Sequence, residues 1–131
     1  MTDAQCKLAL QAARRLLGKV ASVSWASDSW CAWTTFSSLG HMLTYWQAGL
    51  PDEAELQEHG TQDGGLWRQR FEYADLAHLI IPASFRWERS GKEQGYSCGE
   101  KQQDIQALSR ELEQLGIPHR LTSLVLEIKL Y

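Results

Sequence analysis

The sequence predicts an α+β protein in which N-terminal helices are followed by a small mixed sheet and by a C-terminal helix-strand unit. Three observations predict this class. Apolar residues recur at helical spacing near the N-terminus, and residues 76–81 (LAHLII) are apolar at almost every position, as in a central strand. Residues 99–131 then have the pattern of a helix, a glycine stop and an alternating strand.

The length and composition predict one domain that needs no disulfide. A chain of 131 residues can bury about 68–70% of its unfolded surface, so we expect a single domain over 1–131. The 44% of hydrophobic and 22% of charged residues are ordinary for a globular protein. The net charge of −3 disfavours a nucleic-acid partner, because such proteins normally carry a large basic patch.

The first helix is expected to begin at a cap on Thr2 or Asp3 and to end near Val20. Basic residues lie mostly away from its apolar side, which is the pattern of an amphipathic helix. The apolar stripe contains Leu10, Ala13, Leu17 and Val20.

The tryptophan-rich segment after this helix is compatible with two structures. Val23 and Trp25 alternate with serines, as in a short strand. Asp28 or Ser29 can instead cap a helix that carries several aromatic residues on one side. We predict the helix, ending near Ala48 with a glycine directly after it.

The central part of the chain is predicted to contain a short acidic helical turn over 51–58, a loop over 59–65 and strands over 67–87. Proline is disfavoured inside a sheet, so Pro82 should end the most apolar of these strands. Glycines at both ends of a polar stretch predict a turn over 90–95.

The final helix is predicted over 101–115, after a lead-in at 96–98, and the last strand over 124–131, inside the sheet. Gly116 should end the helix, and Pro118 should prevent it from starting again. The apolar positions of this helix are Ile105, Leu108, Leu112 and Leu115.

Two arrangements of the last strand remain open at this point. It can lie parallel to 76–81 through a right-handed helical crossover. Alternatively, residues 119–121 can pair back on it across Thr122 and Ser123.

The cysteines indicate a reducing compartment. Cys6, Cys31 and Cys98 are odd in number and have no CxxC spacing, so we expect three free thiols in a cytoplasmic protein. They form no zinc pattern with the four histidines, and no metal or cofactor is expected. The N-terminal residues do not resemble a signal peptide and no apolar run is long enough to span a bilayer, so no membrane association is expected.

Glu127 and Lys129 are the first candidates for catalysis. Two residues apart on a strand, they share one face, where a carboxylate and a lysine can hold a divalent metal and position a water. This pair resembles the (D/E)xK half of the restriction-endonuclease-like nucleases, and Pro51-Asp52 supplies a Pro-Asp. In that family, however, the Pro-Asp is not in a helix far upstream and the strand continues into a helix. We therefore expect no catalytic residue and keep a metal-dependent nuclease or related hydrolase as the alternative.

Two other groups of residues are considered for chemistry and set aside. Glu72, Asp75 and His78 do not share one face of a strand, and His78 among apolar residues is expected to be a hydrogen-bonded core histidine. Cys98 would lie at a helix start, where a thiol can become reactive, but no P-loop pattern accompanies it. We expect an inert residue there.

Tryptophan and acidic residues are the candidate binding residues. Six tryptophans in 131 residues is a high content, and tryptophan serves cores, ligand stacking and protein interfaces. An acidic stretch follows the tryptophan-rich segment and suits a basic partner. The candidate binding residues are Trp25, Trp30, Trp33, Asp52, Glu53, Glu55 and Glu58.

The run 73–82, the pair Trp87-Glu88 and the closing residues 124–131 resemble small uncharacterised bacterial proteins, some of which accompany secreted polymorphic toxins as immunity partners. The resemblance covers about the C-terminal half and implies no catalytic residues. With the size and mild acidity of the chain, it favours a cytoplasmic, non-enzymatic, immunity- or adaptor-like protein that binds a protein partner such as a basic toxin. The oligomeric state is left open.

Overall fold

The computed structural model describes residues 1–18, 23–62 and 69–131. In these residues the helices are α1 (Asp3–Leu17), α2 (Phe36–His41) and α3 (Ile105–Gln114). The strands are β1 (Cys31–Thr35), β2 (Trp46–Ala48), β3 (Gly60–Gln62), β4 (Arg70–Glu72), β5 (Leu76–Pro82), β6 (Ser84–Gly91), β7 (Gly95–Gln102), β8 (Arg120–Leu121) and β9 (Val125–Lys129). The predicted α+β class is confirmed.

Strand pairing in the described residues is antiparallel. The main sheet has the order β2-β1-β5-β9-β8, and β3–β4 and β6–β7 form separate two-stranded sheets. The prediction of a mixed sheet is therefore wrong. The chain reverses direction through β8 and a turn between α3 and β9, so β9 runs antiparallel to β5. The alternative in which residues 119–121 pair back on the last strand is confirmed, and β9 lies inside the sheet.

Helix α1 begins where the sequence predicted. Thr2 and Gln5 form a capping box in which the Gln5 N–H donates to Thr2 Oγ1 at 3.1 Å and the Thr2 N–H donates to Gln5 Oε1 at 2.9 Å. The helix ends at Leu17, and Gly18 has a φ of 97°, which a residue with a Cβ adopts only at a cost. Val20, the predicted helix end, lies outside the described residues.

The tryptophan-rich segment forms a strand, a short helix and a second strand instead of the one helix predicted from Asp28 or Ser29 to Ala48. Alternating burial at Cys31 and Trp33 and the β-branched Thr34 and Thr35 favour β1, and pairing with the central strand β5 outweighs the helical spacing of the aromatic residues. Thr35 Oγ1 then caps α2 by accepting from the Ser38 N–H at 3.1 Å.

The central predictions are mostly confirmed. The acidic helical turn is a 3₁₀ turn over Glu53–Glu55, and the apolar run forms β5, the middle strand of the sheet. The predicted loop over 59–65 contains β3, whose N–H and C=O groups pair with β4, and residues 63–68 lie outside the described part.

Helix α3 begins later than predicted, at Ile105 instead of 101, because residues 95–102 pair with β6 as a hairpin. Asp104 is the N-cap, and its carboxylate accepts from the Ala107 N–H at 3.0 Å. Gly116 ends the helix with a φ of 69°, as predicted.

The core lies on the side of the main sheet that carries α1 and α3. Trp33, Leu79 and Ile128 are neighbours across β1, β5 and β9 and belong to this core. The helices contribute buried residues that include Cys6, Ala9, Leu10, Ala13, Leu17, Ile105, Leu108 and Leu112. The opposite side of the sheet carries Thr34, His78 and Glu127.

The buried side chain of Gln103 joins three parts of the fold. Its Oε1 accepts from the Trp30 N–H at 3.0 Å, and its Nε2 donates to Trp30 O at 2.9 Å and to Pro82 O at 3.0 Å. Its own backbone N–H donates to Ala83 O at 2.7 Å. One residue therefore fixes the start of β1, the end of β5 and the entry to α3.

Leu112→Ala should lower the free energy of unfolding by about 2–5 kcal/mol, because it opens a cavity in the core. The matched control is Leu115→Ala, since Leu115 in the same helix end is 37% exposed whereas Leu112 is 1% exposed. The control should cost about 1 kcal/mol or less. Chemical denaturation of both variants measures the difference, and equal midpoints would show that Leu112 is not a core residue.

Gln103→Leu should destabilise the fold by about 2 kcal/mol, because it leaves partly buried backbone groups of Trp30 and Pro82 without their partner. Gln102→Leu is the control, since Gln102 is exposed and should change stability by about 0.5 kcal/mol or less. Thermal and denaturant unfolding test both variants. A stable Gln103→Leu protein would contradict the joining role of this amide.

Candidate functional site

An open cleft of about 650 Å³ lies between the segment around α2 and strand β4. We call it the aromatic cleft, because Trp33, Trp46 and Phe71 line it together with Met42 and Asp75. Its residues come from β1, β2, β4 and the connections beside them, so pairing within the main sheet and the β3–β4 hairpin brings them together.

A stack of three aromatic rings forms the base of the aromatic cleft. The ring of Trp33 stacks on Trp46 with centroids 4.7 Å apart and contacts Phe71 with centroids 4.4 Å apart. Trp33 and Trp46 are directly opposite in β1 and β2, which is the position where cross-strand aromatic pairs stabilise a sheet. Trp33 is 3% exposed, whereas Trp46 is only half-buried and presents its accessible surface to the cleft.

Apolar side chains project beside the aromatic cleft. Met42 is 76% exposed and Leu43 is 62% exposed. Their segment is held in place by Ser38, whose Oγ donates to Met42 O at 3.0 Å and accepts from the Thr44 N–H at 3.0 Å. Two adjacent exposed apolar side chains on a fixed segment are unusual for a surface that stays in water.

Charged groups of β4 and of the segment before β5 complete the lining. Asp75 Oδ1 accepts from the Ser37 N–H and from Ser37 Oγ, both at 3.1 Å. Arg70 donates to Glu72 at 3.0 Å and to Gln57 at 2.6 Å. The cleft therefore combines an apolar base with two carboxylates.

The predicted aromatic binding residues are separated by the fold. Trp33 lies at the centre of the aromatic stack. Trp25 is partly exposed in the 3₁₀ turn Ser24–Ala26, where the Arg89 guanidinium lies 4.4 Å from the ring centroid. Trp30 stacks on Phe85 with centroids 5.9 Å apart. Only Trp33 of the three belongs to the cleft.

The predicted acidic residues form a surface of their own around the 3₁₀ turn Glu53–Glu55. Asp52, Glu53 and Glu58 are exposed and Glu55 is half-buried. Asp52 lies 3.9 Å from Arg14, so part of this charge is compensated. The half-buried Trp46 lines the same cleft as the carboxylates of Glu72 and Asp75, and it is not one of the predicted binding residues.

The sequence did not reveal Trp46 and Met42 because the helix predicted over their segment hid the strand pairing. It did not reveal Phe71 because nothing in the strands predicted over 67–87 connects that residue with Trp33. The signal that could have found the site is Gly40, a poor helix former that lies between Trp33 and Trp46 in the middle of the predicted helix.

Glu127 lies in a separate polar cluster on the side of the sheet away from the helices. Its Oε2 is 3.1 Å from His78 Nε2 and its Oε1 is 3.5 Å from Arg120. His78 Nδ1 is 2.8 Å from the Tyr45 hydroxyl. The prediction of a hydrogen-bonded core histidine is confirmed, since His78 is 8% exposed and bonded through both ring nitrogens.

Tyr131 extends this cluster beyond Tyr45. Burial, and then a hydrogen bond with Tyr131, raise the pKa of Tyr45 above its ordinary value. The Tyr45 hydroxyl shares a hydrogen bond with His78 Nδ1, and His78 Nε2 shares one with the Glu127 carboxyl group. This arrangement satisfies the polar atoms of a half-buried network.

The geometry gives Glu127 and Lys129 different partners. The Glu127 carboxylate binds His78 and Arg120, whereas Lys129 Nζ lies 4.6 Å from the centroid of the Tyr131 ring. Asp52, the acid of the Pro-Asp pair, lies instead against Arg14. In the part of the chain that the structure describes, no group of three or more His, Cys, Asp or Glu side chains is placed to hold a metal ion.

Cys98 lies within strand β7 and not at a helix start, because β7 occupies the predicted lead-in to α3. It is exposed, whereas Cys6 and Cys31 are buried, and all three are free thiols. Burial, and then the Asp3 carboxylate, raise the pKa of the Cys6 thiol to about 12. Since the thiolate is the reactive form, Cys6 should be inert.

Thiol labelling should therefore distinguish the cysteines. The native protein should react with Ellman's reagent at one thiol, Cys98, whereas protein in guanidinium chloride should react at all three. Cys98→Ser is the control and should abolish the reaction of the native protein. Rapid native labelling of Cys6, located by mass spectrometry, would contradict the packing of α1.

Across the described residues, none of the helices has both the length and the apolar character that crossing a bilayer requires.

Comparison with known proteins identifies no relative of this chain. No family model matches the chain, and no significant match was found among curated proteins or solved structures.

Proposed function

We propose that the chain is a cytoplasmic, non-enzymatic protein-binding protein of the immunity or adaptor kind, and that its partner docks on the aromatic cleft. The observation that carries this proposal is the half-buried Trp46, which stacks on buried Trp33 and lines the same cleft as the exposed Met42; the next residue, Leu43, is exposed as well. Tryptophan and methionine are enriched in the centres of protein interfaces.

The physical properties of the cleft suit a protein more than a small ligand. The rigid aromatic base supports contact without ordering a flexible side chain, because Trp33 holds Trp46 from within the core. Met42 and Leu43 extend the apolar surface beyond the cleft, where a partner can cover them and a small ligand cannot. Methionine also adapts to the shape of the surface that packs on it.

The charge distribution supports a basic partner, such as a basic toxin. The chain has a net charge of −3, and Asp52, Glu53 and Glu58 are exposed. Such charges mainly raise the rate of association with a partner of opposite charge, and this gain falls as salt is added. The three free thiols, two of them buried, are compatible with a cytoplasmic location.

The alternative, a metal-dependent nuclease or related hydrolase, draws less support from the same structure. Glu127 and Lys129 line one cleft of about 510 Å³, but Glu127 is already bonded to His78 and Arg120, and Lys129 lies over the Tyr131 ring. The polar cluster around Glu127 is explained by its hydrogen bonds within the sheet.

The proposal is tested by comparing how well the wild-type protein and a variant of Met42 capture the partner. Immobilised wild-type protein should retain its partner from a lysate of the source cell. Met42→Lys should abolish this retention, because it places a charge in the apolar contact. The matched control is Leu124→Lys, because Leu124 is 75% exposed, nearly as much as Met42 at 76%, and lies in the turn before β9. Both variants should fold with unchanged thermal stability, since neither side chain is buried.

The affinity of the captured partner for each variant measures the size of the effect. We expect Met42→Lys to weaken binding of the captured partner at least about thirtyfold, which corresponds to about 2 kcal/mol, the threshold of an interface hot spot. Leu124→Lys should change it less than about threefold. Equal retention by the wild type and both variants would overturn the docking site. Phosphodiester hydrolysis that requires magnesium or manganese and disappears in Glu127→Ala would favour the alternative.

A further inference from the structure

We propose that the aromatic cleft recognises one basic side chain of the partner, by preference an arginine, which stacks on Trp46 and pairs with Asp75. This inference rests on the proposed function and specifies the chemistry of the partner's anchor residue. It follows from the distribution of charge and hydrogen bonds in the lining.

Among the described residues that line the cleft, the acidic and basic side chains do not balance. Arg70 is paired with Glu72 at 3.0 Å and also donates to Gln57 at 2.6 Å, so the charges of Arg70 and Glu72 compensate each other. The remaining carboxylate is Asp75, which has no cationic partner in the part of the chain that the structure describes. The exposed His41 is the other titratable group that lines the cleft.

The orientation of Asp75 is fixed by hydrogen bonds that leave one oxygen available. Ser37 donates from its backbone N–H and from its hydroxyl, and both bonds go to Asp75 Oδ1. Among the described residues, no hydrogen bond reaches the second oxygen, Oδ2. An ionised carboxylate only accepts hydrogen bonds, so a ligand that satisfies Oδ2 must bring a donor.

Trp46 supplies the second element of recognition. Trp33 supports its ring from the core, with an angle of 24° between the ring planes, and the accessible part of Trp46 lines the cleft. A cation over an indole ring is attracted by the ring electrons, and tryptophan is the strongest aromatic partner in such contacts. Asp75 lines the same cleft as Trp46, and a guanidinium can stack on a ring while it donates to a carboxylate, which an ammonium group does less well.

Other anchors fit this lining less well. An acidic side chain would be repelled by Asp75. An apolar side chain would remove water from the Asp75 carboxylate without replacing its hydrogen bonds, and an unpaired buried charge is costly. A basic side chain meets both requirements, since its aliphatic stem can contact Met42 while its head satisfies Asp75.

A pair of model peptides tests the proposal on the unmodified protein. The probes are acetyl-Gly-Arg-Gly-amide and the same peptide with citrulline, a neutral side chain of nearly the same shape as arginine. Binding is followed through the indole N–H signals in ¹H–¹⁵N NMR spectra, with the Trp46 signal assigned from Trp46→Phe. The arginine peptide should shift the Trp46 signal and bind at least about tenfold more tightly than the citrulline peptide, because only arginine provides the charge.

Two variants, each of which removes one carboxylate charge, then show which carboxylate the arginine peptide binds. Asp75→Asn retains an acceptor for Ser37 but removes the charge, and it should abolish the preference for arginine over citrulline. Asp52→Asn is the control, since it removes a carboxylate charge outside the cleft, and it should leave the preference unchanged.

The outcomes separate this inference from the proposed function. Equal shifts by the two peptides, no shift of Trp46, or a preference that survives Asp75→Asn would overturn the arginine anchor. If the arginine anchor is overturned but immobilised Met42→Lys protein still fails to retain the partner, the docking site is supported without this anchor. If Met42→Lys protein retains the partner as well, both proposals are wrong. Because the peptide comparison uses the wild-type protein, a poorly folded Asp75→Asn variant does not remove the test.

Discussion

The amide side chain of Gln103 is the constraint on which the other elements depend. Three of its four hydrogen-bonding positions are used by the backbone of Trp30 and Pro82, which belong to segments far apart in the sequence. Pairing fixes β1 against β5 within the sheet, and this junction adds the residue before β1, the end of β5 and the start of α3 to one set of hydrogen bonds. A buried amide can do this because it donates and accepts in one plane, whereas an apolar side chain would leave several backbone groups unpaired.

The position of β1 in turn determines the candidate site. Once β1 pairs with β5, Trp33 lies in the core and Trp46 lies opposite it in β2, at the margin between core and surface. The same aromatic stack therefore has a structural part and an accessible part. A binding surface built in this way is preorganised, because the packing that stabilises the sheet also fixes the ring that a partner would contact.

Sequence reasoning recovered the parts of the fold that local rules determine. The cap on Thr2, the glycine after α3 and the apolar central strand all follow from short patterns that tertiary contacts do not override. The helix expected over the tryptophan-rich segment was wrong because aromatic residues can satisfy a helical spacing and a strand spacing at once, and only pairing with β5 decides between them. A polar stretch such as 95–102 likewise gives no sign of the hairpin partner that makes it a strand.

The residues of the candidate site also divide into those that local sequence indicates and those that only strand pairing brings together. Trp33 could be selected from composition, but its companions depend on strand pairs that local sequence does not specify. Composition also selected the acidic residues of 52–58, which the fold places away from the cleft. The bonds of His78 with Tyr45 and Glu127 needed the alignment of β5 and β9.

That alignment gives the polar cluster a further consequence. Side chains of a strand alternate between its two sides, so a shift of β9 by one residue would turn Glu127 toward the apolar layer beneath α3 and Ile128 toward Tyr45. Both exchanges are unfavourable, since one buries a carboxylate without a partner and the other leaves His78 without an acceptor. The hydrogen bond between His78 and Glu127 therefore specifies the register of β9 against β5, because the neighbouring registers lose this bond.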